Sequence, residues 1–159
     1  MNSIIRDHYA TFSLYQALRN QLMDMVNDAD LGYSPGGGNP TLGELCRENG
    51  EVETAYINSF RTFTLDFSYR HPDPTISTSV ARLREWFDQL DAELRQAIEG
   101  LSEEDVQNRA IDRGGDFRLP PLINLMVYQE ALLIFYGKTS VYLKALNKDL
   151  TEQWRDCIA

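Results

Sequence analysis

Basic residues are scarce in this sequence of 159 residues. Lys and Arg number 15 against 24 Asp and Glu, which gives a formal net charge of −9. Nucleic-acid binding draws its affinity from clustered Lys and Arg that release counterions, and anionic membrane surfaces attract the same residues. The composition therefore argues against a nucleic-acid partner and against a membrane partner.

Cysteines and long apolar runs are also few. The two cysteines, Cys46 and Cys157, form no CxxC pair, which is typical of thiols in a reducing compartment. The longest apolar run covers only residues 131–136, far fewer than the ~20 residues that span a bilayer. The N-terminal residues lack the basic and apolar regions of a signal peptide. We therefore predict a cytoplasmic protein, and the length suits a single domain over residues 1–159.

No segment alternates apolar and polar residues over a length that would build a β-sheet. Instead, apolar residues recur every three or four positions in four long segments, which is the pattern of amphipathic helices. These segments cover roughly residues 3–29, 41–63, 80–101 and 122–146. The predicted fold class is all-α, a four-helix bundle whose long connections allow a topology other than simple up-and-down.

Turn-forming and capping residues mark the starts of the predicted helices. Thr41 opens a capping box before the second helix, and the Pro120-Pro121 pair begins the fourth. A short helical segment capped by Ser102 precedes the fourth helix, and a helical tail follows over residues 150–158. The fourth helix is apolar nearly all round, which predicts burial on several sides, either centrally or against a second subunit.

Histidine is rarer still, because only two occur in the chain. His8 lies on the apolar stripe of the first helix, which predicts a core or boundary side chain. His71 lies in a proline-containing loop and is predicted to face solvent. No HxxH, HxxxH, HExxH or ExxH pattern is present, so the spacing that places histidine ligands of a metal on one helical face is absent.

Carboxylates are plentiful, and most belong to predicted solvated faces. Asp91, on the third helix, is assigned to such a face. Glu48 and Glu51 share one face of the second helix, and Glu48 also flanks its inner stripe. On the fourth helix, Gln129 and Glu130 interrupt an apolar run. Burying an unpaired carboxylate or amide costs several kcal/mol, so these two side chains either find hydrogen-bond partners or face water.

Two segments carry a family resemblance. The segment from Thr41 to Tyr56, TLGELCRENGEVETAY, is similar to the second-helix segment of the DinB-like (DNA-damage-inducible, YfiT-related) family, where (S/T)xGELLxHLAEVExxY is common. The segment from Tyr136 to Leu146, YGKTSVYLKAL, resembles the fourth helix of that family, typically HExxHRGQLxxYLRxL. The resemblance covers most of the chain and implies a four-helix bundle of the DinB-like type.

The resemblance also implies a homodimer that carries a divalent metal ion on three histidines. Some members of the family are thiol-dependent transferases that use bacillithiol, mycothiol or glutathione. In this sequence, the three histidine positions correspond to Glu48, Ala131 and Phe135. Glutamate can ligate a metal ion, but alanine and phenylalanine cannot. We therefore predict that the metal site is lost, that no cofactor is bound, and that Phe135 and neighbouring apolar groups fill the cavity.

Three functions are compatible with these observations, and only the second requires an enzyme. The first is a homodimeric bundle whose former cleft binds a small molecule or a protein partner, with four polar residues lining it: Glu48, Tyr56, Tyr128 and Gln129. The second is a metal-dependent thiol transferase or hydrolase with a non-standard site built on Glu48 and Glu130. The third is a purely structural dimerisation module. The first is preferred, although fold resemblance alone assigns no activity.

Overall fold

The computed structural model describes residues 1–158, which contain six α-helices and one short β-hairpin. The helices are α1 (Tyr9–Met25), α2 (Leu42–Thr62), α3 (Val80–Glu99), α4 (Glu103–Asn108), α5 (Pro121–Ala145) and α6 (Glu152–Cys157). The strands β1 (Ile111–Asp112) and β2 (Arg118–Leu119) pair antiparallel, and 3₁₀ turns cover Asp30–Gly32 and Pro74–Thr78. The predicted all-α class is confirmed, as are the short helix before the fourth long helix and the helical tail.

The four long helices α1, α2, α3 and α5 form the bundle. Both α1 and α2 pack against α3 and α5. The consecutive helices α1 and α2 therefore lie across the bundle from each other, which the long connection between them permits. None of the helices described over residues 1–158 is both long and apolar enough to cross a bilayer.

The start of α2 is fixed by capping and by a close backbone contact. The Thr41 hydroxyl accepts a hydrogen bond from the Glu44 amide (3.2 Å), and the Glu44 carboxylate accepts one from the Thr41 amide (2.7 Å), which confirms the predicted capping box. One residue into the helix, a Cβ on Gly43 would lie 1.8 Å from the carbonyl oxygen of Ser77. Only glycine therefore allows α2 to pack this closely on the Pro74–Thr78 turn.

The first helix differs from its prediction in both length and register. Helix α1 ends at Met25 rather than at residue 29, and a π-helical turn over Ile4–His8 precedes it. A π turn accommodates one extra residue, and this shifts the buried stripe. Tyr9 enters the core in place of His8, and His8 is exposed. The prediction of a core or boundary position for His8 is therefore wrong.

Helix α5 buries one face and exposes another that is also largely apolar. Its buried side includes Leu132, Phe135 and Tyr136. We call its exposed side the outer face, formed by Ile123, Met126, Glu130, Ile134, Gly137, Lys138 and Val141. The four large apolar side chains of this face are 40–61% exposed. The sequence predicts that this helix is buried on several sides. Within the single chain, only one side of the helix is buried.

Candidate functional site

A groove lies between α2 and α5. Its most apolar part has a volume of about 180 Å³. The floor and walls are mostly apolar and consist of Leu45, Asn49, Val52, Ala131, Ile134 and Phe135. Glu48 of α2 and Lys138 of α5 complete the lining. A concave, largely apolar surface with a few polar groups is the usual form of a small-molecule site.

Glu48 lies where this groove meets two larger cavities. One of about 430 Å³ continues past Leu45 and Lys138, and one of about 510 Å³ continues past Val52. The carboxylate of Glu48 forms no ion pair and no hydrogen bond with any residue between 1 and 158. This carboxylate can therefore contact a ligand bound in any of the three cavities.

The three residues that the resemblance places at the family's histidine positions, Glu48, Ala131 and Phe135, all line this one groove. Only Glu48 carries an atom that can ligate a metal ion. Within residues 1–158 there is no cluster of three or more His, Cys, Asp and Glu side chains that could hold one. The residues present therefore do not fit a three-histidine metal site. Phe135 forms part of the wall but leaves the groove open, so the predicted filling of the cavity is incomplete.

The other predicted site residues lie elsewhere. Tyr56 and Tyr128 are buried in the core, where their ring centroids are 4.7 Å apart. Gln129 is half-buried and does not line the groove, and Glu130 is exposed on the outer face of α5. The physical reason is the direction of α5, because the face that carries Tyr128 points to the bundle centre. Of the four predicted lining residues, the structure brings only Glu48 to the groove.

A buried cluster of charged and polar side chains occupies the bundle centre. The guanidinium of Arg19, which is fully buried, reaches across from α1 and forms ion pairs with Glu53 of α2 (2.5 Å) and Asp91 of α3 (2.6 Å). It also donates a hydrogen bond to the side-chain oxygen of Asn49 (2.9 Å). Gln16 donates to Asp91 from the preceding turn of α1 (2.7 Å). These contacts tie three helices together.

The cluster contains two carboxylates for one guanidinium, and this sets its electrostatics. Burial, together with the nearby carboxylate of Glu53, raises the pKa of Asp91 to about 7 against the opposing effect of Arg19. Burial also raises the pKa of Tyr128 well above its ordinary value. The Tyr128 hydroxyl has no hydrogen-bond partner within the described chain. The cluster therefore gains or loses a proton close to neutral pH.

The sequence pattern does not reveal this cluster. Asp91 is predicted on an outer face of the third helix, but its side chain is only 21% exposed and pairs with Arg19, so that prediction is wrong. One signal is available. Arg19, Glu53 and Asp91 each directly follow an apolar residue of an inner stripe, and their charges are complementary.

Asn49 connects the cluster to the groove. Its side chain is 5% exposed and lines the groove on one side. On the other side its oxygen accepts the hydrogen bond from Arg19. The buried cluster therefore holds one side chain of the groove lining, Asn49, in place.

A second polar group lies beside the 510 Å³ cavity. The carboxylate of Glu51 is nearly buried, contacts Arg47 (3.6 Å) and Arg70 (3.8 Å), and accepts a hydrogen bond from the His71 amide (3.0 Å). The ring of His71 packs against Trp86, with 4.5 Å between the ring centroids. His71 is half-buried, so the prediction that it faces solvent is wrong. Burial lowers the pKa of His71.

Comparison with known proteins agrees with this fold. The family model of the DinB superfamily matches residues 12–132. The crystal structure of a DinB-like protein from Bacillus subtilis superposes with a TM-score of 0.69 at 15% identity, covering 88% of this chain and 92% of that one. A DinB-like protein from Bacillus cereus superposes with a TM-score of 0.72 at 16% identity, covering 90% and 93%. No curated protein is significantly similar to the chain. The predicted family is thereby confirmed.

Proposed function

Because the chain belongs to the DinB superfamily, we propose that it binds a small molecule, without a metal ion, in the groove between α2 and α5 of a homodimeric bundle. One observation carries the proposal. The three residues that the resemblance places at the metal-ligand positions line one open groove, and they present a carboxylate and two apolar side chains. This combination supports a concave site that binds a ligand without a metal ion.

The chemistry of the groove indicates the kind of ligand. Mostly apolar side chains line the 180 Å³ part of the groove, so an apolar body gains from leaving water there, by roughly 25 cal/mol per Å² buried. The free carboxylate of Glu48 accepts hydrogen bonds and attracts positive charge. A compact molecule with an apolar body and an ammonium or other donor group fits both features. The proposal gives the protein no catalytic role.

The homodimer is part of this proposal and is supported by the outer face of α5. Its large apolar side chains, Ile123, Met126, Ile134 and Val141, remain exposed in the single chain. Several large apolar side chains exposed on one helix face are typical of an interface. The net charge of −9 supports the absence of nucleic-acid and membrane partners. The two free cysteines support a cytoplasmic setting.

A thermal-shift experiment with matched probes tests the groove. We expect n-hexylammonium at millimolar concentration to raise the melting temperature more than hexanoate or hexanol does, because a ligand that prefers the native state stabilises it. Glu48→Gln should abolish the larger increase in melting temperature that n-hexylammonium causes. Ala131→Leu should block all three probes by filling the groove, whereas the exposed Ala92→Leu on α3 should leave them unaffected. Equal shifts for the three probes with Glu48 intact would contradict the proposal.

Metal content provides the second test and separates this proposal from a metal-dependent transferase or hydrolase. Protein purified without added metal should contain no stoichiometric zinc, nickel or manganese by elemental analysis. EDTA should leave its melting temperature unchanged. A stoichiometric metal ion would refute the metal-free assignment. If no probe binds and the protein is nevertheless a dimer, the structural dimerisation module is favoured.

A further inference from the structure

We infer that a second copy of the chain packs antiparallel on the outer face of α5, about a twofold axis near Ile134, and thereby completes the wall of the groove. The inference rests on the proposed homodimer. It goes beyond that proposal by specifying the face, the direction of the helices and a binding site that two subunits share.

The outer face has the length and the chemistry of a helix-packing surface. Ile123 and Val141 are separated by 18 positions, which correspond to about 27 Å along a helix. Between them lie Met126 and Ile134, which are 52% and 61% exposed. These residues recur at helical spacing on one side of α5, so one partner helix can cover them together.

Gly137 provides an independent indication of close approach by another chain. It is exposed in the interior of α5, and a Cβ built on it would meet nothing within 4 Å. Its backbone is helical, so neither local conformation nor packing within the chain requires glycine. Glycine weakens a helix interior relative to alanine. A residue without a side chain at this position does, however, allow a partner helix to approach closely.

The charges of the outer face select the antiparallel direction. Glu130 and Lys138 lie four residues on either side of Ile134, and neither forms an ion pair or side-chain hydrogen bond within residues 1–158. They are about 12 Å apart along the helix, too far to pair with each other. In a twofold antiparallel pair centred on Ile134, Glu130 lies level with Lys138 of the partner subunit, and the reverse contact forms as well. A parallel pair would place like charges together.

The same arrangement encloses the groove. Ile134 and Lys138 belong both to the outer face and to the groove lining. A partner helix that covers these two residues also covers the α5 edge of the groove. In the single chain, this edge of the groove is therefore open to solvent. In the dimer, the partner helix closes the edge, and a ligand would be more fully buried.

Charge reversal tests this arrangement. We expect the wild-type protein to be a dimer at micromolar concentration in sedimentation equilibrium. Glu130→Lys or Lys138→Glu alone should raise the dissociation constant of the dimer about tenfold or more, because like charges then face each other. The double variant should return to within about threefold of wild type. The control Glu85→Lys, at an exposed position on α3, should leave dimerisation unchanged.

The binding of n-hexylammonium separates failure of this inference from failure of the proposed function. In the inferred arrangement, Glu130→Lys, at a position outside the groove lining, binds the probe more weakly than the wild-type protein does. A monomeric wild-type protein, or a double variant that dimerises no better than the single ones, would overturn the inference even if the probe binds at Glu48. Loss of all probe binding with the charge-reversal pattern intact would overturn the proposed ligand site and leave the dimer standing.

Discussion

The substitution Asp91→Asn gives a direct test of the buried cluster. An aspartate in an unfolded chain titrates near pH 3.9, whereas burial raises the pKa of Asp91 to about 7 in the folded protein. The folded state therefore holds a proton that the unfolded state has released. The contribution of this group to stability is fully present below about pH 4, and it is lost as the pH rises through about 7.

The magnitude follows from the difference in bound protons. Each pH unit over which the two states differ by one proton changes the free energy of unfolding by about 1.4 kcal/mol. Between pH 5.5 and pH 8.5, wild-type protein should lose about 2 kcal/mol of stability from this group, most of it below pH 7. Asparagine resembles the protonated carboxyl in shape and cannot ionise. Asp91→Asn should therefore remove most of this pH dependence.

Urea unfolding at pH 5.5, 6.5, 7.5 and 8.5 provides the measurement, with the m-value compared at each pH. The control is Glu85→Gln, an exposed residue on the same helix, which should keep the wild-type profile. The lowered pKa of His71 adds a small trend of opposite sign, and it is present in all three proteins. The assignment would be refuted if Asp91→Asn retained the full wild-type loss of stability, or if wild-type protein became more stable over this range.

Four further predictions concern individual side chains. In urea unfolding, Gly43→Ala should lower the free energy of unfolding by about 2–3 kcal/mol, because the added Cβ would collide with the backbone carbonyl of Ser77. Tyr128→Phe should raise that free energy by about 0.5–1 kcal/mol, since it removes a buried hydroxyl without a partner. In the same assay, Tyr136→Phe should lower it by about 1 kcal/mol, since its hydroxyl donates a 2.6 Å hydrogen bond to a backbone carbonyl. Native protein should show one thiol that reacts rapidly with Ellman's reagent, the exposed Cys157. Cys46, whose pKa burial raises to about 12, should react only on unfolding.

The features that the sequence predicts well are those determined by nearby residues. The capping box at Thr41 and the start of α5 after Pro120 depend on contacts within one helical turn, and both lie where the local pattern places them. The four long helices follow from apolar periodicity for the same reason. Helix spacing also explains why one groove is lined by Glu48, Ala131 and Phe135, once the family resemblance indicates which two helices face each other.

The features that the sequence does not reveal depend on contacts between distant segments or on a change of register. One extra residue in the π turn moves His8 from the predicted core to the surface. Asp91 looks like a surface residue until Arg19, 72 positions earlier, is placed opposite it. Tyr128 is of a residue type common in binding sites. Which side of α5 faces inwards, however, depends on packing against three other helices. Periodicity identifies a helix and its stripe but does not identify the neighbour of each side chain.

The diagonal placement of α1 and α2 has a consequence for the order in which the chain acquires structure. During synthesis, the first two helices emerge with little surface in common, and each must wait for Val80–Glu99 and Pro121–Ala145 to arrive before its apolar side is covered. Such long-range closure slows folding compared with a bundle of successive hairpins. The nascent chain up to Thr62 therefore exposes two apolar stripes at once. Chaperones that hold apolar segments should bind this chain during translation until α5 has left the ribosome.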